Sequence, residues 1–228
     1  MKQEIFNFDF QFKSKEFFLS SKNSLAYKLI KEWPKWTQNF VYIYGPSNCG
    51  KTSFCEMWKE NSNALYIDKK RLEMMIDSNF EQSPLNSNNW IIDDIESLIS
   101  SSEKKYDEKI LNLLNILQAN KSSFLLITSS LPPKFLSSKL MDLISRLSSM
   151  LIIEIKQPDE ELLIRIIKKY LKDRNIILKN ENIDFITKRI DRTYSAARKI
   201  SKLIDTVSLE NQQNISKTFL SNLIKKLY

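Results

Sequence analysis

From position 40 onward, short apolar runs at 40–44, 65–67, 90–92, 124–127 and 151–155 are separated by longer stretches in which apolar residues recur every three or four positions. Runs this short and this rich in Ile, Leu, Tyr and Phe suit strands buried on both faces, and the period between them suits amphipathic helices. Their regular alternation predicts a parallel α/β sheet. Pro158 breaks the pattern, and Asp159, Glu160 and Glu161 then supply carboxylates that suit the positive end of a helix starting there. Beyond that point the strand signals stop. The stretches 162–174, 183–192, 195–210 and 216–227 all space their apolar residues by three and four, which predicts a small helical bundle. Ser216 is the expected N-cap of the last helix, and Asn180 or Asn182 that of the second. At the other end, Phe6, Phe8, Phe10 and Phe12 alternate with polar residues, the period of an extended segment with one aromatic face. The expected organisation is a tail at 1–13, an α/β base at 14–156 and a helical part at 157–228.

Composition removes several chemistries from this frame. The 228 residues contain no His, so neither a catalytic triad, a His general base nor a His-containing zinc site can be built within the chain. Cys49 and Cys55, six residues apart, provide neither a disulfide framework nor a four-thiolate metal site, which points to a reducing compartment. Only two Gly occur, where average usage would give about 16, and this argues against a turn-rich all-β architecture. Lys and Arg number 35 against 27 Asp and Glu, a net charge of +8 carried mainly by Lys. That excess suits a nucleic-acid partner or simply solvated helix faces. The longest apolar run, 40–44, is far below a membrane span, and Glu4 and Asp9 interrupt the N-terminal stretch. A soluble, cytoplasmic chain with no membrane partner is expected.

Both glycines fall in Gly45-Pro46-Ser47-Asn48-Cys49-Gly50-Lys51-Thr52, which fits G-x-x-x-x-G-K-[ST] between a buried strand and a helical run. In such a loop the glycines let backbone N–H groups wrap phosphates, Lys51 offers a point charge to the β and γ oxygens, and the Thr52 hydroxyl serves Mg²⁺. The helix start behind them favours an anion. Gly45, Asn48, Cys49, Gly50, Lys51, Thr52 and Ser53 are therefore the candidate nucleotide contacts. A P-loop also needs an acid on a neighbouring strand. Trp90-Ile91-Ile92-Asp93-Asp94 supplies an apolar run ending in two carboxylates, Asp93 for the metal's water shell and Asp94 to orient an attacking water. An Asp is shorter than a Glu in that place, so slow hydrolysis is expected.

With these acids placed, the chain resembles the AAA+ ATPases, and within them the DnaA initiator clade and its Hda relatives. Leu125-Leu126-Ile127-Thr128-Ser129-Ser130-Leu131-Pro132-Pro133 resembles the sensor 1 strand and the turn after it. Ser130 and Leu131 replace the clade's Asp and Arg, leaving Thr128 and Ser129 as the polar candidates for sensing a γ-phosphate. Leu143-Ile144-Ser145-Arg146-Leu147 resembles the box whose Arg acts as an arginine finger in a neighbouring site. Thr193-Tyr194-Ser195-Ala196-Ala197-Arg198 resembles the start of the lid helix whose sensor 2 Arg reaches the nucleotide. The stretch 18–27 and Trp33-Pro34-Lys35-Trp36 resemble the segment that frames the adenine in Hda-like proteins. Gln3-Glu4-Ile5-Phe6-Asn7-Phe8 resembles the peptide by which Hda and polymerases dock on the bacterial sliding clamp, with Gln3 as the polar anchor and Phe6 and Phe8 as the apolar ones.

The resemblance implies a P-loop AAA+ parallel β-sheet base with a C-terminal α-helical lid, holding ADP or ATP with Mg²⁺. It implies a regulator of replication initiation that docks on the DNA polymerase III sliding clamp, meets DNA through it, and uses Arg146 to promote hydrolysis of ATP on the DnaA initiator. DnaA initiators add a helix-turn-helix domain after the lid, whereas this chain ends at Tyr228, so sequence-specific origin binding is not expected. A helicase-loader-type AAA+ adaptor is the alternative, and a homodimer stays open.

Overall fold

The computed structural model describes residues 18–77, 87–99, 105–211 and 215–227. They fall into two compact units, Leu19–Asp159 with Arg192–Ser195, and a second unit holding Phe18, Glu160–Asp191 and the described residues from Ala196 onward.

The first unit is α/β. It runs α1 (Ser24–Glu32), β1 (Phe40–Tyr44), α2 (Lys51–Ser62), β2 (Leu65–Tyr66), α3 (Lys69–Asp77), β3 (Asn89–Ile92), α4 (Glu96–Ile99), α5 (Lys105–Ala119), β4 (Phe124–Ser129), a 3₁₀ turn (Pro133–Phe135), α6 (Met141–Ser148) and β5 (Leu151–Glu154). The five strands form one sheet in the order β2-β3-β4-β1-β5, and every pair is parallel. A parallel sheet needs a crossover between strands, and each amphipathic stretch supplies one. On one face Tyr42, Trp90, Ile92, Leu125 and Ile127 pack with Ile110, Leu113, Leu114 and Leu117 of α5. Side-chain alternation turns Val41, Ile43, Ile91 and Leu126, all fully buried, to the other face. Burying each such side chain contributes about 1.5–3 kcal/mol, so this double-sided core holds the strand ends in fixed relation.

One strand runs two residues past its apolar run. β4 continues through Thr128 and Ser129, both fully buried, because their hydroxyls find partners inside the unit. Trp33 and Trp36 do not flank the P-loop. Trp36 stacks on Trp58 at 5.0 Å, and both Trp33 and Trp36 meet Phe124 edge-on. Phe124 opens β4, whereas the P-loop lies beside its far end, where Gly45 N–H donates to Ser129 O. The Trp33 and Trp36 part of the adenine-framing expectation is therefore corrected to a hydrophobic plug under the sheet. The stretch before α1 does reach the other end: Lys156 N–H, just past β5, donates to Lys22 O.

The second unit contains α7 (Glu160–Lys172), α8 (Asn180–Thr187), α9 (Tyr194–Asn211), whose first two residues belong to the α/β unit, and α10 (Lys217–Lys225). Leu163, Ile167, Ile183, Ile186, Ile200, Ile204, Leu220 and Leu223 form its core. Ser216 caps α10, its Oγ accepting from Phe219 N–H at 3.2 Å. The expected Asn cap of α8 is not found. Lys179 holds the N-cap position with no side-chain bond, Asn180 is already helical and accepts from Lys168 Nζ, and Asn182 donates to Ile215 O. Arg174 Nε and Asp205 Oδ2 pair at 2.9 Å within this unit. Both cysteines are free, and among the described residues no helix is long and apolar enough to cross a membrane.

Candidate nucleotide site

β1 delivers the chain into the loop 45–50 at the C-terminal edge of the sheet, and α2 takes it away. Gly45 is required by crowding: a Cβ there would stand 2.7 Å from Ile155 O and 2.8 Å from Ile155 Cβ. Gly50 is required by conformation, since its φ of 99° lies where an L side chain is strained. Asn48, at φ 66°, takes the left-handed turn that Asn tolerates, and its Nδ2 donates to Ser195 Oγ at 2.9 Å. The Lys51 ammonium lies over the loop, donating to Gly45 O at 2.8 Å and Pro46 O at 3.2 Å. Thr52 and Ser53 occupy the first turn of α2, where backbone N–H groups lack intrahelical partners. Cys49 is buried against Gly45, and burial pushes its thiol up despite the neighbouring Lys51 charge, so it lines the loop as a neutral group.

The acids arrive from β3. Register pairs Ile92 with Ile127, so Asp93 emerges level with Thr128, beside the P-loop. Thr52 Oγ1 donates to Asp93 Oδ2 at 2.8 Å, and Thr128 Oγ1 donates to Asp93 Oδ1. Mg²⁺ takes one or two carboxylates together with nucleotide phosphates and water, and the Thr52–Asp93 pair fits that donor set. Asp94 turns outward at φ 56°, its backbone N–H donating to Thr128 Oγ1 at 2.9 Å. Its carboxyl is held above the usual range by partial burial, a hydrogen bond with Glu96, and the Glu96 and Asp93 charges, with Lys51 opposing.

Thr128 and Ser129 thus stand at the site, but their hydroxyls serve its own acids. Thr128 bridges Asp93 and Asp94, and Ser129 Oγ lies 2.8 Å from Glu96 Oε1. Glu96 was not singled out by sequence reasoning. Burial works to raise its carboxyl, yet hydrogen bonds from its own backbone, Ser129, Asp94 and Ser130 outweigh that and hold it below the ordinary Glu value. The signal available was a third carboxylate, two residues after Asp94, at the start of α4.

The chain is 29% identical to the chromosomal replication initiator DnaA of Buchnera aphidicola subsp. Cinara cedri, over 92% of this chain and 51% of that one. It is 28% identical to DnaA of Nautilia profundicola, over 84% of this chain and 46% of the other. It spans about half the length of these DnaA relatives. An uncharacterised protein of Haemophilus influenzae is 27% identical, with 82% of each chain covered. Domain III of Thermotoga maritima DnaA shares the fold, with a TM-score of 0.72 at 21% identity over 92% of this chain and 94% of that one. In sequence the chain is similar to DnaA initiators, and it has the fold of DnaA domain III. The Thermotoga maritima RuvB branch-migration motor has the same fold more distantly, with a TM-score of 0.64 at 20% identity, covering 90% and 67% of the two chains. No protein-family model matches.

Arg146 is exposed in the last turn of α6, and its Nη1 donates to Gln118 Oε1 at 2.7 Å. Arg198 stands exposed on α9 in the helical unit, where its charge and that of Arg174 bear on Tyr170, whose hydroxyl burial nonetheless pushes up. Gln3, Phe6 and Phe8 lie outside the described residues.

Proposed function

We propose that this DnaA-like protein is an Hda-like cytoplasmic regulator of chromosomal replication initiation, which holds ADP or ATP with Mg²⁺ and promotes hydrolysis of ATP bound to DnaA. The placement of Arg146 carries this reading. Gln118, its partner, closes α5 just before β4 begins, and α6 leads directly into the start of β5, so the guanidinium stands at the N-terminal ends of the strands. The P-loop, Asp93 and Asp94 stand at the C-terminal ends. An exposed Arg on that opposite edge cannot serve the nucleotide of its own chain, but it suits a site on another molecule. Such a finger neutralises charge on a transferring phosphoryl group and is worth roughly 10³–10⁵ in rate.

The adenine nucleotide is supported by the loop geometry and by a related solved structure, the replication initiator DnaA bound to AMPPCP and single-stranded DNA. In the proposed site the backbone of loop 45–50 and Lys51 bind the phosphates, and Thr52 and Asp93 hold Mg²⁺, which when bound would neutralise phosphate charge. Hydrolysis by the chain itself is slow, because Asp94 is short.

Docking on the DNA-loaded sliding clamp rests on the spacing of Gln3, Phe6 and Phe8 and is tested by clamp pull-down. The intact chain is retained, and joint replacement of Phe6 and Phe8 by Ala costs at least ~2 kcal/mol, about thirtyfold in affinity, if both fill pockets. Unchanged retention with the fold intact by circular dichroism would contradict clamp docking and favour the helicase-loader-type adaptor, which needs no such peptide.

A further inference from the structure

Glu96 Oε1 is the point on which the turn after β4 converges. Ser130 N–H donates to it at 2.5 Å and Leu131 N–H at 3.2 Å, with Ser129 Oγ at 2.8 Å. Ser129 Oγ is also 2.6 Å from Leu131 O, and its single proton can serve only one of these acceptors at a time. From the other side Tyr42 OH donates to Leu131 O at 2.9 Å. Thr128, immediately before this turn, accepts from Asp94 N–H and donates to Asp93. Hydrogen bonds from the turn to Glu96, the peptide links from the turn back to Thr128, and the bonds of Thr128 to both acids therefore join Glu96 to Asp93 and Asp94. The loop 45–50, by contrast, meets this turn through main chain, Gly45 N–H donating to Ser129 O, and Lys51 donates to loop carbonyls, neither through the Glu96 carboxylate.

We propose that Glu96 is a positioning residue: by clasping the turn 129–131 it fixes Thr128, Asp93 and Asp94, so that the grip on a γ-phosphate with its Mg²⁺ depends on Glu96 while the grip on ADP does not. This inference rests on the nucleotide site proposed above. A neutral side chain that keeps an acceptor oxygen still clasps the turn, and one that lacks it releases both acids together.

The test is calorimetry of ADP without Mg²⁺ and of AMPPCP with Mg²⁺ on the full chain and its variants, read as the ratio of the two dissociation constants. In Glu96→Ala, ADP binding stays within about twofold of the parent and AMPPCP weakens at least about fivefold relative to it, as expected when hydrogen bonds to a charged group are lost. In Glu96→Gln, whose amide oxygen still accepts from Ser130 and Leu131 N–H, the ratio stays within about twofold of the parent. Should Glu96→Ala not fold, Ser129→Ala makes the same comparison, with a smaller shift in the same direction. An unchanged ratio in Glu96→Ala, or in Ser129→Ala standing in for it, would overturn the role. An equal loss in Glu96→Gln would overturn the clasp and leave only a charge effect. Absence of ADP binding by the unaltered chain would instead overturn the nucleotide site itself.

Discussion

The proposed phosphate and Mg²⁺ ligands Lys51, Thr52 and Asp93 are legible in the sequence because such ligands take fixed residue types at fixed spacing, and the structure brings Thr52 Oγ1 within 2.8 Å of Asp93 Oδ2. The Lys51 ammonium donates to loop carbonyls, so removing it takes a proposed phosphate ligand away without opening the core. Lys51→Ala should weaken calorimetric ADP binding at least about tenfold, about 1.4 kcal/mol, while the thermal transition barely moves. An unchanged dissociation constant would disqualify the loop as a phosphate cradle. Glu96 was not legible in the same way. Its partners Ser129, Ser130 and Leu131 lie more than thirty residues further along, and only the parallel pairing of β3 with β4 brings them together. Thr128 and Ser129 were legible as polar residues ending a strand, but the partners of their hydroxyls were not, since those also depend on register.

The positions of the elements were legible where a buried face imposes a period, whereas their boundaries were less so. β1 coincides with the apolar run 40–44 because it lies between β4 and β5 with both faces covered. β4 was read two residues short because Thr128 and Ser129 look like the end of an apolar run until their buried partners are known. The two cap expectations separate on the same ground. Ser216 has a β-region backbone and an Oγ reaching Phe219 N–H, whereas Asn180 and Asn182 both have tertiary partners in place of a capping role. Ser216→Ala should therefore lower stability by about 1 kcal/mol, visible as an earlier urea midpoint for the transition that reports the helical unit, with an unchanged m-value. Asn182→Ala acts through a bond to Ile215 O rather than through a cap, and a larger loss there than at Ser216 would invert this assignment.

For the molecule as a whole, alternation of apolar runs with helical periods was enough to give a parallel sheet followed by a helical unit, because a parallel strand pair requires a long crossover. What alternation cannot give is the end of the sheet at which an isolated Arg emerges. That comes from α6, which follows β4 in the chain and leads into the start of β5, and it separates Arg146 from the P-loop of its own chain. An Arg there offers a planar fork that Lys cannot reproduce. Arg146→Ala and Arg146→Lys should both keep nucleotide and clamp binding, because neither the P-loop nor Gln3, Phe6 and Phe8 depend on that side chain. The most direct measurement follows labelled ATP on DnaA after addition of clamp-loaded DNA and this protein. The unaltered chain is predicted to accelerate conversion to ADP and both Arg146 variants to lose that acceleration, whereas full stimulation by either variant, or none by the unaltered chain, would contradict the account.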